Sequence, residues 1–493
     1  MTPNMRSPSR RVARNAVTAA VALGLALPLV ALAASRSTMA PAQAPSFTRD
    51  VAPVIQEKCA GCHRVGGVAP FPLDTARGIS SRASLIGAVV EARLMPPWPP
   101  GPRSPAFVGQ SHRTLTASER ATILSWAATG AHVDGPARKP LPQPPLDVRK
   151  GERVLEVAMP ATYHPKAQGG ATDDYRCFLL DPKLANGVSV TSARIAPGAS
   201  KIVHHVILFR ISRSQVAEAK RLDSGMRGPG WTCFGGTGLG PAGGGGSATD
   251  SLADANWIGA WAPGGTGGRL PDGTGIPLPA GTQIVMQVHY NLLNGNAPDR
   301  SRAVLTVAPA TAKLTKVQST LLPAPVELAC AKGERGPLCD RDQALRELAR
   351  KYGSLAAFYP AGLLLLCGRS PENVTPSAVS QCDRRIDTRT TILGAAGHMH
   401  LLGASIRLEL NPGTPRAQIL LDIPRWDFHW QSMYTLRTPI EARPGDVVRV
   451  TCRYDVSHRR HGIHGVPTTP RYILWGEGTT DEMCLGLLLV TRE

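Results

Sequence analysis

Short runs rich in Val, Ile and Leu, punctuated by Gly, Pro, Asn and Asp, dominate the chain after about residue 150. They predict strands over 187–195, 201–211, 283–290 and 303–307, and again over 391–395, 404–410, 418–422, 446–454 and 485–491. Turn signals at this spacing favour antiparallel sandwiches. Helical spacing is confined to two regions. Before residue 135 it marks 47–58, 80–93 and a helix that opens at Thr116, where Glu119 completes a capping box, and closes near Gly130. Ile123, Leu124 and Ala127 of that helix are expected to pack on the first. The second region is 340–353, with Leu345 and Leu348 facing one way.

These patterns divide the chain, whose 493 residues suggest about three domains. Residues 1–35 read as an export signal. Arg6, Arg10, Arg11 and Arg14 precede an apolar run that ends in small residues. The run is near spanning length, so an uncleaved membrane anchor is the alternative. Residues 45–135 form a helical domain and 136–150 a stiff Pro-rich linker. Two β domains follow, 151–310 and 311–493, the second with a helical, Cys-containing insertion around 327–387. The glycine-rich stretch 228–256 reads as a long mobile loop. The expected fold class is multidomain: an α-helical domain followed by two tandem antiparallel β-sandwich domains.

Composition supports this division. Gly 50 and Pro 44 with only 5% aromatics favour loop-rich β domains over helical bundles. The net charge of +19 comes without a long basic run or basic residues interleaved with aromatics, which argues against nucleic acid as a partner. A basic exported protein suits a periplasmic or secreted location and can dock an acidic redox partner, or a membrane if the signal is uncleaved. Ten cysteines in such a chain imply oxidised thiols. Cys59 and Cys62 have another use. The other eight, Cys177, Cys233, Cys330, Cys339, Cys367, Cys382, Cys452 and Cys484, permit four bridges of open connectivity, those of the insertion being local.

Cys59-Ala60-Gly61-Cys62-His63 is a C-x-x-C-H motif that follows the first helix. Two thiols can add to haem vinyl groups while the next histidine ligates iron. Met95, in the proline-stiffened Leu94–Pro99 loop, is the candidate second axial ligand. The segment resembles a class I-like cytochrome c, which implies one covalently bound haem c and no evident substrate pocket.

Three further sets carry metal-ligating types. His204 and His205 lie adjacent in a strong strand, where neighbours face opposite ways, so both can reach one metal only if the strand ends, twists or bulges there. His289 lies in another strand. Three imidazoles without Cys or carboxylate suit copper or zinc. His398 and His400 are two apart and can share a face. Met483 would complete a soft set that favours Cu(I). His458, His461 and His464 fall in an Arg- and Gly-rich loop and read as a solvated segment.

With VHHVILF at His204, MQVHYN at His289, GHMH at His398 and TTDEMC at Met483 in that order, residues 153–493 resemble the copper type II ascorbate-dependent monooxygenases. Peptidylglycine α-hydroxylating and dopamine β-monooxygenases are familiar members. The resemblance implies two jelly-roll-like sandwiches, each holding one copper, that face each other across an open cleft. His204, His205 and His289 would hold an electron-storing copper, and His398, His400 and Met483 the copper that meets O2. It implies bridges Cys452–Cys484 and Cys177–Cys233. It also implies hydroxylation of a substrate C–H bond, with ascorbate as a reductant. Ala396 and Leu487 stand where the peptide enzyme has a carboxylate-gripping arginine and a substrate-contacting tyrosine, so the expected substrate is another small organic molecule. The fused haem segment is absent from those enzymes and suggests a relay of electrons to copper. A non-catalytic copper and haem electron-transfer protein, or a copper-binding protein, is the alternative reading, and a three-histidine zinc hydrolase the third.

Overall fold

A computed structural model describes residues 44–493, apart from 66, 68, 142–146, 168–171, 234, 241–254, 264, 266 and 460–468. The expected export signal, the centre of the Pro-rich linker, much of the glycine-rich loop, His461 and His464 therefore lie outside the described residues. Among the described residues no helix is long and apolar enough to cross a membrane.

The helical region begins at Ser46, whose hydroxyl caps Phe47–Val51, and this turn runs into Ala52–Lys58. Thr116 and Glu119 form the expected capping box of Ala117–Ala128. The middle differs from expectation. A Thr75 cap starts a separate short helix, Ala76–Ser80, ahead of Ala83–Glu91. Phe47, Val51, Ile55, Ile79, Ile86, Ile123 and Trp126 close the core, with the Phe47 and Trp126 rings 5.7 Å apart. Leu124 and Ala127 only edge it.

Two sheets follow. One runs Arg153–Ala158, Arg302–Pro309, Val188–Ala196, Thr274–Leu278, Thr315–Lys316, and the other Trp231–Thr232, Asp173–Leu180, Gln283–Asn291, Val203–Ile211, Trp257–Trp261. Alternate apolar residues of both meet in one core: Val190, Ile195 and Leu305 from the first, Phe178, Val206, Leu208 and Met286 from the second. The disulfide Cys177–Cys233 ties the Asp173–Leu180 strand to the chain after Trp231–Thr232.

Two four-stranded sheets come next. One runs Gln318–Pro323, Leu485–Arg492, Thr390–His398, Tyr434–Ala442, and the other Val379–Arg385, Val447–Tyr454, Gly403–Leu410, Gln418–Ile423. Ile392, Leu488, Ile406 and Val450 are among their shared core residues. The Val379–Arg385 strand falls inside the stretch expected as an insertion, so the added element is shorter. It holds the expected helix, Arg341–Tyr352, and a second one, Ser354–Leu366, that runs on despite Pro360. Its bridges, Cys330–Cys339 and Cys367–Cys382, are local.

Leu393 and Leu489 of the later sheets join the core of the earlier pair, so the two β regions share apolar packing. The segment after Ala83–Glu91 crosses onto the later region. There Phe107 bridges Leu436, and Ser104 exchanges hydrogen bonds with Asp422.

Candidate metal centres

The Val203–Ile211 strand pairs antiparallel with Gln283–Asn291, and its register shifts between Val203 and His205. His204 is the extra residue of that bulge, and His205 lies directly opposite His289. The irregularity that adjacent histidines require is therefore present. It turns three Nδ1 atoms toward one point. Their separations are 3.3 Å (His204 to His205), 3.3 Å (His204 to His289) and 3.4 Å (His205 to His289). The centre of such a triangle lies about 1.9 Å from each nitrogen, close to a metal–imidazole bond length.

Charge and tautomer agree with that use. His289 donates from Nε2 to Asp173 Oδ1 at 2.8 Å, which leaves its Nδ1 lone pair facing the other two rings. Burial, helped by neighbouring imidazoles, pushes His204 and His205 well below the usual histidine range, so both rings are neutral. Three imidazole nitrogens brought this close can ligate one cation between them. Tyr175 stacks on His289 at 4.1 Å and fixes its plane.

The second set is built on alternation. His398 ends the Thr390–His398 strand, Met399 turns into the core, and His400 returns toward His398, with ring centroids 5.1 Å apart. Each ring donates from Nδ1, His398 to Gln431 Oε1 at 2.6 Å and His400 to Asp481 O at 3.2 Å. Both Nε2 atoms are thereby free to ligate. Burial lowers His398 to about 4 and His400 well below its ordinary value. Met483 is buried. Glu482, fully buried, accepts from the backbone N–H of His400 (2.9 Å), Leu402 (2.5 Å) and Met483 (3.2 Å). One carboxylate thus pins the His400 and Met483 segments side by side. Burial drives that carboxyl up to about 8, against the pull of the three N–H donors. The Cys452–Cys484 bridge and the Tyr454 hydroxyl, which donates to Met483 O at 3.0 Å, brace the same turn.

The two sets do not face across an open cleft. His205 and His398 meet edge to face with centroids 6.1 Å apart. Phe428 stacks on His204 at 4.2 Å and lies 6.0 Å from His400. Hydrogen bonds hold the seam shut: a buried one from Thr479 Oγ1 to Asp173 at 2.5 Å, and part-buried ones from Asn291 Nδ2 to Thr479 at 3.1 Å and from the Tyr175 hydroxyl to Glu477 O at 2.5 Å. An apolar ring and satisfied polar groups filling the gap explain why the expected opening is closed.

The C-x-x-C-H motif follows directly from Ala52–Lys58. Cys59 and Cys62 are unbridged and half-buried. Burial raises Cys59 to about 12 and Cys62 in the same direction, so both are thiols at neutral pH. His63 donates from Nδ1 to Phe71 O at 3.0 Å, which leaves Nε2 for a metal. Two unpaired thiols and a ring oriented in this way fit covalent haem attachment. Met95 is half-buried just beyond Ala83–Glu91. His458 is half-buried, with its Nδ1 3.3 Å from the carbonyl oxygen of Leu401, the residue after His400.

Sequence reading missed Asp173, Tyr175, Phe428 and Gln431. Each acts through a partner far along the chain, and none stands in a recognisable spacing. Thr479 and Glu482 were visible only as parts of the TTDEMC motif, without the bond of Thr479 to Asp173 or the three-fold backbone role of Glu482.

Residues 366–489 match the profile of the copper type II ascorbate-dependent monooxygenase, C-terminal domain. Tyramine beta-hydroxylase of Caenorhabditis briggsae is 28% identical over 111 residues, which cover 22% of this chain and 17% of that protein. The chain thus spans well under a quarter of that curated relative. Among solved structures, the infectious bursal disease virus VP2 subviral particle is 8% identical with a TM-score of 0.14, covering 71% of this chain and 74% of its own. An oxalate decarboxylase mutant of Bacillus subtilis is 7% identical with a TM-score of 0.13, covering 69% and 77%. Neither structure bears on the fold. The segment that holds His398, His400 and Met483 is similar to the C-terminal domain of the copper type II ascorbate-dependent monooxygenases.

Proposed function

We propose that the protein is a copper-dependent monooxygenase that hydroxylates a C–H bond of a small organic substrate. One atom of O2 enters the product and the other leaves as water, with two electrons and two protons consumed. The observation that carries this reading is the apposition of the converging His204/His205/His289 nitrogens with the His398/His400 pair, inside and beside a segment similar to such enzymes. Copper would sit at each set, with Met483 in the second, and supplies one-electron chemistry with O2.

The protein's own groups prepare both sets. Asp173, Gln431 and the Asp481 carbonyl hold ring protons away from the ligating nitrogens. Burial keeps His204, His205, His398 and His400 neutral, and Phe428 packs between His204 and His400. Ala396 and Leu487 are direct cross-strand partners, both half-buried, one row along from the pair His398 and Leu485. Cross-strand partners share a face, and alternate residues return to it, so Ala396 and Leu487 form an apolar ledge beside His398, and neither side chain can grip a carboxylate. This supports a substrate other than a carboxylate-bearing peptide.

The unpaired thiols and oriented His63 support one haem c, with Met95 as its second ligand, as the electron source in place of ascorbate or beside it. Four disulfides suit an oxidising, exported location.

Metal analysis and labelled oxygen test the proposal together. Two coppers and one haem iron per chain, with one labelled oxygen atom gained by a candidate metabolite, are expected. Zinc in place of copper would overturn it. Oxygen uptake that never yields a hydroxylated product would favour electron transfer alone.

A further inference from the structure

One short turn, Gln110–Arg113, is bonded on one side to the C-x-x-C-H segment and on the other to the wall of the His398 set. On the first side, Lys58, which immediately precedes Cys59, donates from Nζ to Ser111 O at 2.6 Å. Its neighbour Glu57 lies 3.0 Å from His112 Nδ1. On the other side, Arg113 Nη1 donates to Ser432 Oγ at 3.0 Å. Ser432 follows Gln431, the residue that accepts from His398 Nδ1 at 2.6 Å.

The turn is fixed in place. Val108 N donates to Thr435 O at 2.8 Å, and Arg437 N to Ala106 O at 2.9 Å. The Arg113 guanidinium lies 5.7 Å from the centre of the Trp98 ring, and Trp98 meets Tyr434 edge-on at 5.5 Å. Arg113 also opposes the effect of burial on the Cys62 thiol, which puts its charge within reach of the motif. Toward the earlier β region the motif presents Arg64 to Arg194, a like-charged pair that depresses Arg194 after burial has done so. Among the described residues, the bonded line from the motif ends at His398.

We infer that Gln110–Arg113 couples the C-x-x-C-H motif to the His398 set, so that an electron held at Cys59/Cys62/His63 enters at His398, His400 and Met483 rather than at His204, His205 and His289. In the step, iron(II) becomes iron(III) and copper(II) at the His398 set becomes copper(I), with no atom transferred. Arg113 is a positioning residue here. It holds Ser432 and hence the Gln431 that orients His398. The inference rests on the haem and copper reading above.

The test is one-electron transfer in the full holoprotein without substrate or O2. Haem is reduced by flash or rapid mixing while copper is held as Cu(II), and the haem absorption and copper EPR signals are followed. Wild type with copper at both sets gives the reference rate. His398→Ala, which keeps copper at the first set, should be slowed about tenfold or more, as should Arg113→Ala with its copper content and EPR line shape at the first set unchanged. Arg113→Lys should recover part of the rate by keeping the charge and a donor.

A His398→Ala protein as fast as wild type would overturn the inference and route electrons to the first set. So would an unchanged rate in Arg113→Ala. A wild-type haem that never passes its electron to copper overturns the haem relay itself, and this inference with it.

Discussion

Asp173 Oδ1 lies 2.8 Å from His289 Nε2, and the same carboxylate receives the Thr479 hydroxyl. One buried group therefore orients a ligand of the first set and latches the turn that leads into Met483 of the second. Asp173→Asn is expected to weaken copper binding at the first set about 10–100-fold, because an amide cannot hold the ring proton as a carboxylate does. Asp173→Ala should also cost about 1–3 kcal/mol, since it leaves buried donors unpaired. Copper titration followed by EPR and thermal melts of the metal-free protein would check both, and unchanged affinity would remove the orienting role.

Glu482 serves three backbone N–H groups at once. A glutamine there keeps one acceptor oxygen and turns an NH2 group toward donors. Above a pH of about 8, where Glu482 is the carboxylate, Glu482→Gln should destabilise the protein by about 1–3 kcal/mol and loosen the alignment of His400 with Met483. The readout is denaturant unfolding together with the copper–sulfur signal in X-ray absorption. A variant as stable as wild type that keeps that signal would show that Glu482 is dispensable.

Phe428 fills the space between His204 and His400. Phe428→Ala should cost about 3–5 kcal/mol, the usual range for emptying such a site, and admit water to the seam. Its enzymatic signature is oxygen consumed without matching product. Product per O2 equal to that of wild type would mean that the ring does not guard the seam.

Burial lowers His398 to about 4 from an ordinary value near 6.5. Between those values the unfolded chain takes up a proton that the folded chain refuses, so this residue's contribution to stability is present above 6.5 and is lost as pH falls toward about 4. The buried carboxyls Glu477, Asp481 and Glu482 are raised and act in the opposite sense. The measurable quantity is therefore a difference. Across this window the melting temperature of metal-free wild type should fall more steeply than that of His398→Asn. Parallel curves would contradict the burial argument.

The sequence alone determined what depends on near neighbours. Alternation placed His398 and His400 on one face with Met399 in the core, and adjacency required the strand to end, twist or bulge at His204, where the structure has a bulge. Thr116 and Glu119 announced their helix because a capping box closes within one turn. Tertiary structure decided the rest, because the partners lie far apart in the chain and nothing in their local spacing says which surfaces will meet. Asp173 finds Thr479, Arg113 finds Ser432, and His205 finds His398 only where sheets and helices distant in sequence pack together. That packing turned an expected open cleft into a closed seam. Apolar surface such as Leu393, Leu489 and Phe428 is more stable buried against another element than left in water, and the polar groups beside it must then find partners across the join.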